Sequence, residues 1–273
     1  MKEAAGEMKG TLRRAFSVMR YLATAGSRGA ALTDIAKYVG LPHPTVHRLL
    51  HQLIEERMVR QLESEKRYTL GSLTFELGLS AAQQFDIRGL CRPVLERLAL
   101  EAGDTAYLVI RSGDEAVCID RQEGPSPIRV MTLQVGSRRP LGVGAGGLAI
   151  LAALPTPEQQ AVLDTVDAQI AGVWGLPRDF LQSSIHDANR QGYALIRNRV
   201  TPGVSAIGMH FSDSMGRPFA ALSVAAINSR LTSSRIKTVS ALLTRGVSNI
   251  RQALRTTNGR WTAPQPGPAT SMD

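Results

Sequence analysis

Between Leu12 and Ala25, apolar residues fall at Leu12, Ala15, Phe16, Met19, Leu22 and Ala23, three or four positions apart. That spacing predicts an amphipathic helix, which Gly26 ends. Thr33 is placed to cap a second, short helix through 34–39, and Gly40 supplies the positive φ of a tight C-terminal turn. A third helix is expected from His43, because proline is tolerated in a first turn and Val46, Leu49, Leu50, Leu53 and Ile54 form one apolar stripe. The opposite face carries His43, Thr45, His47, Arg48, His51 and Gln52.

The period then changes. Met58–Leu62 and Lys66–Leu70 are short β-branched or aromatic runs around a polar tip, which predicts a hairpin. Helix, helix, turn, helix, hairpin is the order of a winged helix-turn-helix. Residues 71–88 predict a connecting helix, and 90–102 another after an interruption near Gly89 and Pro93. The expected divisions are a winged helix-turn-helix DNA-binding domain at 1–70, a linker helix at 71–89, an effector-binding and oligomerisation domain at 90–257, and a disordered tail at 258–273 rich in Pro, Gly, Thr and Ser.

In the third of these segments, Thr105–Arg111 and Glu115–Arg121 predict strands around a Ser112-Gly113-Asp114 turn, with a third strand at Ile128–Leu133. Helices are expected at 144–153, 157–166, 179–190 and 234–254, and strands at 193–196, 204–211 and 219–227. The fold class is α+β: an N-terminal winged helix-turn-helix, a linker helix, and a C-terminal mixed, largely antiparallel sheet domain with flanking helices.

Composition narrows the function. The chain has 273 residues and a net charge of +9, and residues 1–70 hold 12 Lys and Arg against 7 Asp and Glu. The denser positive charge lies at the N-terminal end, as a polyanionic partner requires. No apolar stretch approaches a membrane span and no secretory leader is visible, so the expected compartment is cytoplasmic, without a membrane partner. Cys91 and Cys118 have neither CxxC spacing nor a suitably spaced His, so no metal, disulfide or other cofactor is expected.

Ala36, Gly40 and Val46 supply the small residue, the turn glycine and the branched apolar residue that a helix-turn-helix needs. An ordinary pair of core helices is the alternative, and the basic hairpin that follows favours DNA. The third helix would then enter the major groove of double-stranded operator DNA, with Thr45, His47, Arg48 and Gln52 reaching base edges or phosphates. Arg48 is the strongest candidate, on guanine or on phosphate. His43 and His47 could equally be solvated, and Thr45 a capping hydroxyl. Lys66, Arg67 and Tyr68 are placed to contact the backbone or minor groove from the wing.

The run LTDIAKYVGLPHPTVHRLL at Leu32–Leu50 with RYTLG at Arg67–Gly71 resembles the IclR family of bacterial transcriptional regulators. The resemblance continues through PVLERLA at Pro93–Ala99, GLAILA at Gly147–Ala152, GYA at Gly192–Ala194, PGVSAIG at Pro202–Gly208 and GRPFAALSV at Gly216–Val224. It implies a C-terminal domain that binds a small organic effector and assembles a homodimer or homotetramer, without catalysis. Effector positions carried over by motif are Met131, Ala145, Gly146, Val204, Ala206 and Ser223, most of which would by themselves read as core. The sequence departs from the family pattern at Gly142 and Leu148, where His and Lys are usual, and at Ile196, Arg197, Asn198 and Arg199, where acidic residues are common. Arg129, Arg197 and Arg199, with the turn Gly144-Ala145-Gly146-Gly147 opening a helix, would favour an organic acid, unless these arginines simply lie on a solvated loop.

Two rival classes fare worse. Cys118, Asp120, His186 and His210 are too scattered for a catalytic constellation, and no nucleophile elbow, P-loop, GxGxxG or HExxH occurs. A non-specific architectural DNA binder has no use for a second domain of this size. Ligand binding in the second domain is expected to act through 71–88 on how two wing domains match half-sites one or more turns apart.

Overall fold

A computed structural model of the chain describes residues 10–62, 65–82 and 86–256, so the expected disordered tail at 258–273 lies outside the described residues. The chain divides into two compact units between Gln84 and Phe85.

The first unit runs α1 Thr11–Ala25, a 3-10 turn Gly26–Arg28, β1 Ala30–Ala31, α2 Leu32–Val39, α3 His43–Glu55, β2 Val59–Leu62, β3 Arg67–Leu70 and α4 Ser72–Ala82. Gly40 is left-handed at φ 66, ψ 29, and its N–H returns to the Ala36 carbonyl, closing α2 so that α3 can begin three residues later. Thr33 does not cap α2: the helix starts at Leu32 behind the extended Ala31, with no side-chain cap. The reason is β1, a two-residue strand that shows no sequence period. It pairs antiparallel with β3 (Ala30 opposite Tyr68) and runs straight into the helix. Val18, Leu22, Ile35, Ala36, Val46, Leu50 and Val59 meet in one core.

The helix expected over 71–88 does not extend so far. α4 ends at Ala82, and α5 begins at Ile87 behind Asp86, whose carboxylate accepts the Gly89 N–H at 2.9 Å. α5 continues unbroken through Pro93 to Ala102, and Ile87 is already buried in the core of the second unit.

That unit follows α5 with β4 Thr105–Ser112, β5 Glu115–Gln122, β6 Arg138–Pro140, α6 Ala145–Ala153, α7 Thr156–Trp174, α8 Arg178–Gln191, β7 Ala194–Arg197, β8 Val204–Ser212, β9 Pro218–Ile227 and α9 Ser233–Thr256. The sheet order is β6-β5-β4-β9-β8-β7, and every described neighbouring pair is antiparallel. The segment Ile128–Leu133 is not a strand. Its backbone binds the Tyr107 side chain instead of a ladder, and the edge of β5 is taken by β6.

Strand alternation sorts β9 between two cores. Ala220, Leu222, Val224 and Ala226 pack with α5 and α9, whereas Ala221 and Ala225 belong to the core that includes α6, α7 and α8. Each fully buried Leu or Val on the first face contributes about 1.5–3 kcal/mol. From Ala221 to Ala225 the second face of β9 carries only Ala and Ser, so the sheet leaves room beneath α6.

Candidate DNA-reading face and effector cavity

In the first unit, α3 buries Val46, Leu49, Leu50 and Leu53 and exposes His43, His47, Arg48, His51 and Gln52, with Thr45 half-buried. One helix face therefore carries every residue expected to read DNA from this helix. His51 Nδ1 lies 3.3 Å from Glu55 Oε1 one turn on, which draws it along the helix. Arg48 has no acidic partner among the described residues, so its five donors remain available to a base edge or a phosphate.

The wing corrects two expectations. Tyr68 is 6% exposed and belongs to the core of the first unit with Val18, Leu22 and Ile35, on the central strand of a three-stranded sheet. Arg67 Nε donates to the Arg28 carbonyl at 2.9 Å and its Nη2 to the Gly29 carbonyl at 2.8 Å, so the guanidinium braces the 3-10 turn against the hairpin. Tyr68 is thus a core side chain, and the half-buried Arg67 gives two of its nitrogens to the turn. Lys66 is exposed at a left-handed position, φ 51, beside the hairpin tip.

In the second unit, a cavity of about 620 Å³, its mouth included, lies between α6 and the strands β4, β8 and β9. It gathers Ala145, Gly146, Val204, Ala206 and Ser223 out of the effector positions carried over by motif. Glycine is a packing requirement at Gly146 and at nearby Gly208: a Cβ on Gly146 would stand 2.7 Å from Val109 Cγ2, and one on Gly208 2.6 Å from the Ala145 carbonyl oxygen. Small residues let α6 approach the sheet while the gap beside it stays open.

The other expected positions are elsewhere. Met131 points outward, 58% exposed, while its neighbours Thr132 and Leu133 line the cavity, because the irregular backbone here does not alternate as the expected strand would. Arg129 is exposed and pairs with Glu123 at 2.7 Å. Arg197 ends β7 exposed, and Arg199 stacks over Phe180 at 5.1 Å; neither lines the cavity.

The cation that does line it is Arg139, which sequence reasoning passed over. The pair Arg138-Arg139 sits on the three-residue strand β6 and splits by alternation. Arg138 binds Glu115 and Ser112, each at 2.8 Å. Arg139 turns inward, donates through Nη2 to the Thr132 carbonyl at 2.7 Å, and lies 5.0 Å from the Trp174 ring centroid. Burial pushes its pKa below the usual arginine range. Nearby, the buried Tyr107 hydroxyl donates to the Val130 carbonyl and accepts the Thr132 N–H, and burial raises its pKa. Gly144, at φ 85, starts α6 without a side-chain cap, so the first turn faces the cavity.

Comparison with known proteins places both units. Residues 11–63 match the IclR helix-turn-helix domain, and residues 79–252 match the bacterial transcriptional regulator IclR C-terminal domain. The chain belongs to the IclR family. An HTH-type transcriptional repressor, AllR, from Klebsiella pneumoniae is 30% identical over 246 residues, covering 89% of each chain. The IclR transcriptional regulator from Alicyclobacillus acidocaldarius shares the fold with a TM-score of 0.72 at 23% identity, covering 89% of this chain and 98% of that one. An IclR homologue from Microbacterium hydrocarbonoxydans, solved in complex with 4-hydroxybenzoate, has a TM-score of 0.70 at 19% identity, covering 90% of this chain and all of the other. This IclR-family chain is therefore a DNA-binding transcriptional regulator with a winged N-terminal unit and a curled antiparallel sheet behind it. Within the described residues no helix is long and apolar enough to cross a membrane.

Proposed function

We propose that the chain binds specific operator DNA through α3 and that a small organic acid, held in the cavity beneath α6, changes the strength of that binding. The single observation that carries the effector half is the lined cavity itself: apolar walls from Val109, Val143, Ile196 and Val204, a few hydroxyls, and one cation, Arg139. Mostly apolar concavities with a few placed polar groups are where small ligands bind. The 4-hydroxybenzoate complex of the Microbacterium relative supports an acid of this size in a fold of this kind. For the DNA half, the support is the exposed face of His43, His47, Arg48 and Gln52 on a helix whose other side is buried. Lys66 at the wing adds a phosphate contact.

The acting species is a homodimer or homotetramer. Phe75 and Leu79, one turn apart on α4, are both exposed, an apolar strip that a second copy would cover.

The test combines a thermal-shift screen of small organic acids with a fluorescence-anisotropy titration of operator DNA, selected from a random pool by the protein itself. An acid that raises the melting temperature binds the native state. The same acid should shift operator affinity at fixed salt. If every stabilising acid leaves operator affinity unchanged, the regulatory reading fails.

A further inference from the structure

We propose that Arg139 is the charge-recognising residue of the cavity and that it selects a single-headed carboxylate with a compact apolar body. This rests on the effector reading above and assigns its chemistry.

Arg139 is the one cation among the described lining residues, and no described lining residue is acidic. A largely buried guanidinium without an anion is costly to fold, and a site that keeps one has a use for it. Neighbouring Arg138 shows the contrast, since it is fully engaged by Glu115 and Ser112 on the other side of β6. Two contacts hold Arg139 in a fixed orientation: the Thr132 carbonyl on Nη2 and the Trp174 ring 5.0 Å away. Nη1 lies 3.8 Å from where a Gly144 Cβ would stand, beside the start of α6, so that nitrogen and the first turn of the helix can meet the same anion. A planar fork fixed in place suits a carboxylate, which it can bind through two parallel hydrogen bonds.

The rest of the wall sets the body of the ligand. Val109, Leu133, Val143, Ile196 and Val204 offer no partner to a second charge. Tyr107, Thr132, Thr201 and Ser223 add only neutral polar groups, so a dicarboxylate or a phosphate dianion would bury a second charge without a counter-ion. The anchor is also a relay, because the guanidinium that meets the ligand is bonded to the Thr132 carbonyl, and the Thr132 N–H is bonded to Tyr107. Ligand capture therefore acts on the 130–133 segment directly.

The experiment uses the full chain carrying Trp261→Phe, so that fluorescence reports Trp174 alone of the two tryptophans. The probes are benzoate and isovalerate, their carboxamides, succinate and inorganic phosphate, titrated into this protein and into its Arg139→Met and Arg139→Lys variants. Benzoate and isovalerate should quench or shift Trp174 emission and bind roughly tenfold or more tightly than their carboxamides, succinate or phosphate. Arg139→Met should abolish the carboxylate preference and leave carboxamide binding unchanged, and Arg139→Lys should restore part of it. A preference that survives in Arg139→Met, or equal binding of acids and amides to the unsubstituted site, overturns the proposal. If such amides still shift operator affinity, the effector reading stands and only the anchor is wrong. If no probe moves either Trp174 emission or operator affinity, both are wrong. Should Arg139→Met melt early, the comparison of acid with amide in the unsubstituted protein and in Arg139→Lys decides.

Discussion

Gly208 on β8 passes so close to Ala145 at the start of α6 that a Cβ on Gly208 would meet the Ala145 carbonyl oxygen at 2.6 Å. Gly208 also sits opposite Ser223 in the sheet, and Ala145 and Ser223 both line the cavity. Gly208→Ala must push α6 off the sheet. We expect a loss of about 1–3 kcal/mol, as for overpacking a close-packed core. Thermal unfolding checks this, and an unchanged melting temperature would show that α6 moves freely.

The two basic residues of the wing should behave differently. Arg67 braces the backbone at Arg28 and Gly29, so Arg67→Ala should lower the stability of the first unit by about 1–2 kcal/mol. Lys66 is exposed, and Lys66→Ala should leave melting unchanged while reducing the slope of log affinity against log salt by about one. Denaturant titration and anisotropy at several salt concentrations separate the two. The reverse assignment would mean that Arg67 leaves the turn to meet DNA.

Both thiols should be inert in the folded protein. Burial foremost, with Asp120 adding to it, pushes the Cys91 thiol up to about 12, and burial likewise pushes Cys118 up to about 12 despite the opposing pull of Arg121. Because the reactive species is the thiolate, neither should react with a disulfide reagent at about pH 8 until the chain unfolds. Rapid labelling under native conditions would contradict the burial of these strands and helices.

Arg230 holds the buried Asp104 with two bonds, at 2.8 and 3.3 Å, tying the start of β4 to the turn between β9 and α9. Its pKa is raised by that carboxylate. Arg230→Met leaves Asp104 buried without its cation and should cost about 2–4 kcal/mol, with partial recovery in the double variant Arg230→Met, Asp104→Asn. Urea unfolding of the four proteins in the cycle measures the coupling.

The exposed face of α3 was largely legible in the sequence, because a helix repeats every few residues and Val46, Leu49, Leu50 and Leu53 mark its buried side within one short window. Gly40 was equally plain, since its left-handed turn selects glycine. Tyr68 was not: it lies on the central strand of a sheet whose third strand, β1, is two residues long, almost forty positions earlier, with no pattern of its own. The cavity had to be assembled from strands and a helix spread between Tyr107 and Ala225, so spacing alone could not show it, and the family motif located only part of its wall. Arg139 escaped because β6 is three residues long, too short to reveal which of two adjacent arginines turns inward. The inward one is distinguished only by its surroundings, namely Trp174, Thr132 and the lack of an acid.

The most direct measurement of DNA reading by α3 is fluorescence anisotropy with selected operator and scrambled DNA at one stated salt concentration, for the natural protein and Arg48→Ala. The natural protein should prefer its operator by about a thousandfold or more. Arg48→Ala should weaken operator binding by about 1–3 kcal/mol, leaving melting temperature and ligand binding in the cavity unchanged. Equal affinity for both DNAs, or operator affinity untouched by Arg48→Ala, would contradict it.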